Sequence, residues 1–182
     1  MGHLTLLFGC MFAQKTTEIL RRIRRYKSIG YDVLVVNYSK DTRYGRNVIA
    51  SHDIDTHAAR CVEFLAEVDA EVRSGSYRVV VIDEGQFFGD LYSYVTQWSD
   101  ELDVHIVVAG LDGDSDRKPF GDILKLVPYA EEVERLTAYC AFCRDGTPAV
   151  YSKFIPGKKD DQVAVGGADM YKPVCRKHYL EG

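Results

Sequence analysis

Leu4-Thr-Leu-Leu-Phe-Gly-Cys-Met-Phe-Ala-Gln-Lys-Thr-Thr-Glu18 decides how this chain is read. An apolar run breaks at Gly9, and a few residues on Gln14-Lys-Thr-Thr17 opens an amphipathic stretch. That is the layout of a phosphate-binding loop. In the pattern G-x-x-x-x-G-K-[ST], backbone N–H groups wrap a phosphate, the lysine neutralises the outer phosphates and the next hydroxyl holds Mg²⁺. Gly9, Lys15 and Thr16 fit, whereas Gln14 stands where the second glycine belongs. A strand, a loop and a helix holding a lysine by chance would match equally well over so short a stretch, so the flanking sequence has to decide.

Downstream, Ile19, Leu20, Ile23 and Tyr26 form one stripe of a helix expected from Thr16 to about Ile29, ended by Gly30. Arg21, Arg22, Arg24, Arg25 and Lys27 fill its other face, read as solvated rather than as a phosphate contact. Val33–Val36 reads as a buried strand running into the polar segment Asn37–Tyr44, at the end of a strand where open parallel sheets build their sites. Asp55 or Thr56 can cap a helix carrying Ala59, Cys61, Leu65, Val68 and Val72, which places Cys61 in the core. Val79-Val-Val-Ile-Asp-Glu84 is a buried strand delivering an aspartate to Mg²⁺ beside the phosphate loop. A helix from about Asp90 to Asp100 turns Leu91, Tyr94, Val95 and Trp98 inward. A strand at His105–Ala109, a polar loop to Gly121, a short helix at Asp122–Leu126 ended by Pro128, and a strand at Glu132–Thr137 follow. This recurrent order of strand, polar loop and helix implies a parallel α/β sheet with right-handed crossovers.

The chain has 182 residues, enough for one main domain with a small appendage. An apolar fraction of 46% argues against disorder, and no apolar run reaches the roughly 20 residues that span a bilayer. A net charge of −4 and a pI near 5.7 argue against nucleic acid and anionic membrane as partners and favour a small molecule. Met1-Gly-His3 leads straight into a strand without the layout of a secretory signal, so an intracellular, cytoplasmic setting is expected. Five cysteines in such a setting point to metal ligation or core packing rather than disulfides.

From Ala138 the texture changes. Cys140-Ala-Phe-Cys143 and Cys175-Arg-Lys-His178, about 30 residues apart, fit a structural Zn²⁺ site of Cys₃His type, each tight knuckle aiming two ligands at one ion. Three cysteines and a surface histidine without metal are the plain alternative. The long spacer suggests that the metal clamps the base of a working loop around Gly157–Val165.

Seven ordered motifs make the chain resemble the type II thymidine kinases, the zinc-containing deoxynucleoside kinases with a phosphate loop. They are Gly9–Glu18, Asp41-Thr-Arg-Tyr44, Asp83-Glu-Gly-Gln-Phe-Phe88, Gly110–Gly113 with Arg117–Gly121, the two knuckles, and Gly166–Tyr171 before Pro173-Val-Cys175. The resemblance implies a phosphate-loop NTPase-like parallel sheet flanked by helices over residues 1–137 and a small zinc-binding lasso unit over 138–182. It implies transfer of a phosphoryl group from ATP to the 5′-hydroxyl of thymidine. Glu84 would be the general base and Arg43 would stabilise the transferring group. Gly9, Lys15, Thr16, Thr17, Asp83 and Gln86 would serve ATP and its Mg²⁺. Met11, Asp41, Phe87, Leu111 and Tyr171 would hold the nucleoside, with Gln162, Val163, Ala164, Val165 and Gly166 laid along the pyrimidine edge. The family further implies a homotetramer and feedback by dTTP.

Four positions depart from the family. Cys10 replaces a proline, Gln14 a glycine, Ser115 the aromatic over the base and Phe154 an arginine. A glutamine at position 14 has to accept a left-handed backbone or push the loop outward. The competing expectations are therefore an active kinase with an unusual loop, a catalytically impaired relative kept for assembly or regulation, and a nucleic-acid-binding zinc-ribbon protein, the last opposed by the acidic pI.

Overall fold

The computed structural model describes residues 2–40, 48–50, 56–155 and 170–181. In chain order these form β1 (His3–Gly9), α1 (Lys15–Ser28), β2 (Val33–Tyr38), β3 (Val48–Ala50), β4 (Thr56–Ala58) and β5 (Arg60–Val62). A 3₁₀ turn at Leu65–Val68 leads into α2 (Asp69–Arg73), then β6 (Val79–Ile82), a 3₁₀ turn at Gly85–Phe87, α3 (Leu91–Glu101), β7 (His105–Gly110) and a 3₁₀ helix at Ile123–Tyr129. The chain continues through β8 (Glu132–Leu136), β9 (Ala138–Tyr139), β10 (Pro148–Ala149), β11 (Tyr151–Phe154), β12 (Tyr171–Val174) and α4 (Arg176–Leu180).

Six strands make one sheet in the order β5-β2-β6-β7-β1-β8, and each neighbouring pair is parallel. A strand buried on both faces sends successive side chains to opposite cores. Leu4, Leu6 and Phe8, with Val80, Ile82, Ile106 and Val108, face a core closed by Trp98 and Leu91 of α3 and by Ile123 and Leu126. Leu7, Val79, Val81, Val107 and Ala109 face the opposite core, closed by Ile19, Leu20 and Ile23 of α1. The helix stripe expected for α1 is thus the one observed, with Tyr26 half-buried and stacked on Tyr31 at 6.3 Å. Its basic face is only partly solvated. The Arg22 guanidinium reaches Glu18, Glu132 and Glu134 at 2.8, 3.0 and 3.1 Å, fastening α1 to the edge strand β8.

Three expectations need correction. The segment from Thr56 is not one helix: Thr56–Ala58 pairs antiparallel with β3, and Arg60–Val62 adds a parallel edge strand to β2. Helical turns start only at Leu65, where Glu67 Oε1 accepts the Glu63 and Phe64 N–H groups and the Asp90 carboxylate accepts those of Leu65 and Ala66. Cys61 is in consequence half-exposed on an edge rather than in the core. The helix before Pro128 is a 3₁₀ segment that carries the proline inside it, a spacing that tolerates a missing N–H in a short run. The proposed cap Asp55 lies outside the described residues.

Beyond β8 a small separate cluster packs Cys140, Ala149, Val174 and Cys175 among Ala138, Tyr151 and Tyr179. Two short antiparallel pairs, β9 with β10 and β11 with β12, carry it. No helix among the described residues is long and apolar enough to cross a membrane.

Candidate active site and metal centre

The carboxyl ends of β1, β2, β6 and β7 deliver Gly9, Tyr38, Asp83 and Gly110 to one rim of the sheet. At that rim the Gly9 backbone passes so close to β8 that a Cβ would run into the Leu136 carbonyl oxygen. The turn after it holds Phe12 at φ 66° and Gln14 at φ 59° and ψ 32°. Gln14 therefore accepts the left-handed backbone, and its carbonyl still receives the Glu18 N–H at 3.0 Å to start α1. Lys15 curls back over the loop, its Nζ donating to the Cys10 carbonyl at 2.8 Å and the Gly9 carbonyl at 3.2 Å. Burial lowers its ammonium pKa, and the carboxylate of Glu84 is the first influence opposing that shift.

Thr16, in the first turn of α1, donates its hydroxyl to Asp83 Oδ2 at 3.0 Å, which joins the loop to the acidic pair. Asp83 itself is fixed by its N–H on the Val36 carbonyl at 2.9 Å. Its Oδ1 accepts the Glu84 N–H at 2.9 Å. Burial, followed by the neighbouring Glu84 carboxylate, lifts the Asp83 carboxyl to about 7. A buried carboxyl crowded by a second, half-buried carboxylate is an arrangement typical of functional sites. Glu84 sits at φ 54° and ψ 39°, a left-handed turn that swings the chain away from β6. Gln86 Nε2 donates to Glu84 Oε2 at 2.6 Å, and Gln86 Oε1 accepts the Leu111 N–H at 2.9 Å. Thr17 lies half-buried in the same first turn of α1.

Of the residues expected around the nucleoside, the described ones fall in two contact groups, Phe87 with Leu111 through the Gln86 turn and Met11 with Tyr171 through β11. Phe87 stacks on Tyr38 at 5.2 Å and meets the edge of Phe120 at 5.4 Å. Leu111 is held through Gln86. Met11 donates its N–H to Ser152 Oγ at 2.9 Å, and Cys10 Sγ donates to the Ala149 carbonyl at 3.3 Å, so the phosphate loop is bolted to the β10–β11 segment. Tyr171 faces Phe154 across the β11–β12 ladder, their rings 5.5 Å apart. Ser115, the other departure, accepts the Tyr179 hydroxyl on its carbonyl at 2.7 Å. Asp41, Arg43 and Gln162, Val163, Ala164, Val165 and Gly166 lie outside the described residues.

Cys140, Cys143, Cys175 and His178 converge, their ligand atoms all within 4.8 Å of one another. The separations of Cys143 Sγ from Cys175 Sγ and from His178 Nδ1 are 3.8 and 3.3 Å; Cys140 and Cys175 Sγ lie 3.5 and 3.4 Å from the same nitrogen. A tetrahedron with Zn–S near 2.3 Å and Zn–N near 2.0 Å has edges of about 3.8 Å between sulfurs and about 3.5 Å between sulfur and nitrogen. The four donors therefore fit a zinc ion as they stand.

Two contributors escaped the sequence. Ser152, notable in the sequence only as a neighbour of Phe154, gives no local sign of its role, because its contact is with Met11, 141 residues away in the chain. Tyr38 could be found only as the polar-loop neighbour of a buried strand.

A thymidine kinase family model matches residues 2–179 of the chain. Thymidine kinase from rabbit fibroma virus (strain Kasza) is 41% identical over 180 residues, covering 98% of this chain and 97% of the relative. Thymidine kinase from vaccinia virus (strain Western Reserve) is 39% identical over 180 residues, covering 99% and 98%. The cytosolic thymidine kinase of Gallus gallus is 40% identical over 180 residues, covering 99% of this chain and 78% of its own length.

Proposed function

Since the chain belongs to the thymidine kinase family, we propose that it transfers the γ-phosphoryl group of ATP to the 5′-hydroxyl of thymidine, yielding dTMP for pyrimidine salvage. The observation that carries the reading is the 3.0 Å bond from Thr16 to Asp83, which sets the acidic pair directly against the phosphate loop. Phosphoryl transfer is catalysed almost entirely by positioning and charge stabilisation, so such a convergence is what it requires.

The chain's own groups divide the work. Gly9, Thr17 and the loop N–H groups seat the donor phosphates, and Lys15 neutralises them. Thr16 and Asp83 would hold the Mg²⁺ that accompanies ATP, and the ion would supply neutralisation of the donor's negative charge. Glu84 accepts the proton of the 5′-hydroxyl as that oxygen attacks the γ-phosphorus and the bond to ADP breaks. Arg43 steadies the charge on the transferring group. Met11, Asp41, Phe87, Leu111 and Tyr171 contact the nucleoside, and Gln162–Gly166 follow the pyrimidine edge. Residues 1–137 serve as the nucleotide-binding unit. Residues 138–182 serve as the lasso unit, closed by a structural zinc on Cys140, Cys143, Cys175 and His178.

The family premise also carries a homotetramer, feedback by dTTP and a cytoplasmic location. Light scattering tests the first, and a particle of only 20.6 kDa would refute it. The activity is tested by radiolabel transfer from ATP to thymidine with the parent chain and Glu84→Gln. The amide keeps the shape and loses the basicity, so a fall of about 10²–10⁴-fold in turnover with nucleotide binding retained is expected. Parent-level turnover in that variant would remove Glu84 from its role.

A further inference from the structure

Gln86 is 4% exposed, yet its side chain is fully polar and lies between two parts of the site. A backbone N–H can only donate, so the 2.9 Å bond from Leu111 fixes which end of the Gln86 amide is oxygen. The NH₂ end is then committed to Glu84 Oε2 at 2.6 Å. The slot is cut for this residue by two glycines, Gly110 at the end of β7 and Gly121 in the segment after it. A Cβ on Gly110 would run into Gln86 Oε1, and one on Gly121 into the Gln86 carbonyl oxygen. The turn that carries the pair is itself pinned, with Phe87 N–H on the Glu84 carbonyl at 3.1 Å. A Cβ on Gly85 would press on Val108 at 2.9 Å.

We propose that Gln86 is a positioning residue: it holds the Glu84 carboxylate in the plane from which it takes the 5′-hydroxyl proton, and ties it to Leu111 on the nucleoside side. A carboxylate on a left-handed turn residue can rotate about its last torsion, and a short donor bond to one oxygen stops that rotation. Each end of the amide is engaged by protein, so the proposed role does not depend on a contact with ATP. The inference rests on Glu84 being the general base.

Two variants separate the possibilities in the full-length protein with ATP, Mg²⁺ and thymidine. Gln86→Leu removes both hydrogen bonds. Gln86→Met keeps the length of the side chain without a donor to Glu84 or an added charge, and it carries the test if the leucine variant does not fold. In each, kcat is expected to fall about 10²-fold, the scale of a misplaced reacting group. The KM for ATP and the thymidine Kd should stay within about threefold, as for an interaction made only in the transition state. In a Glu84→Gln background, Gln86→Leu should lower kcat no further, because groups acting as a unit are not additive. A folded Gln86 variant with parent kcat, a raised ATP KM at unchanged kcat, or a full second loss in the Glu84→Gln background would each overturn the proposal. If Glu84→Gln alone kept parent turnover, the assignment of the base would fall and the proposal with it. An inactive Glu84→Gln beside an unaffected Gln86→Leu would sink the positioning role by itself.

Discussion

Gln14 holds a left-handed backbone at φ 59° without a side-chain capping bond, and its side chain points to solvent. A non-glycine residue in this conformation costs about 1–2 kcal/mol, because Cβ crowds the following carbonyl. The loop nevertheless keeps its shape: Lys15 stays over the Gly9 and Cys10 carbonyls and Gln14 still opens α1. The strain is therefore stored in the loop rather than relieved by displacement. Gln14→Gly should raise the thermal midpoint by a few degrees, consistent with about 1 kcal/mol, and should tighten ATP while leaving thymidine affinity without donor unchanged. Calorimetry and titration of ATP check both halves. A glycine variant with unchanged stability and ATP affinity would mean that the glutamine's own contacts offset the strain. At this scale the sequence was informative: a glutamine in a glycine position already announces a backbone conflict, though only the dihedral angles show which way it is resolved.

At the scale of elements, the phosphate loop is held from two sides. α1 follows it in sequence, while β11 reaches it from far along the chain through the bond from Met11 N–H to Ser152 Oγ at 2.9 Å. Ser152 is buried, so removing its hydroxyl leaves the Met11 N–H without that acceptor, a loss of about 1 kcal/mol. Ser152→Ala should therefore weaken ATP binding by about fivefold, the equivalent of that energy, and Ser152→Thr should restore it. Equal ATP affinity in all three proteins would show that β11 does not shape the loop. The elements themselves were legible where burial is two-sided: Val79–Ile82 and His105–Gly110 are unbroken apolar runs because each face meets its own core. The segment from Thr56 to Val72 reads as one helix because Leu65, Val68 and Val72 do follow a helical stripe. The strand before them is stabilised by β2 and the helix start by Asp90, partners distant in sequence.

On the scale of the whole molecule, the small Cys₃His cluster and the sheet bury separate apolar groups, so loss of the proposed zinc should undo them unequally. One zinc per chain is expected by elemental analysis, bound by Cys140, Cys143, Cys175 and His178. Strong chelation or Cys175→Ser should unfold the small cluster around Ala149 and Val174 while the far-ultraviolet signal of the α/β core persists. ATP affinity should then drop at least as far as in Ser152→Ala, because β11 pairs with β12, the strand that leads into Cys175. Folded protein without zinc and with every thiol titratable would defeat this. By itself the sequence determined the strand–loop–helix order, the turn from Gly9 to Lys15, the acidic pair and the two Cys/His pairs. Each of these is a local pattern: a periodicity, a short spacing or a residue type whose chemistry is carried by its neighbours in the chain. Only the tertiary structure decided that one strand, β7, stands between β1 and β6, that Thr16 meets Asp83, that Gln86 bridges Glu84 to Leu111, and that Ser152 braces the loop. Those contacts join residues whose separation in sequence leaves no local trace, and they form only when two cores, packed against opposite faces of one sheet, bring its strand ends to a common rim.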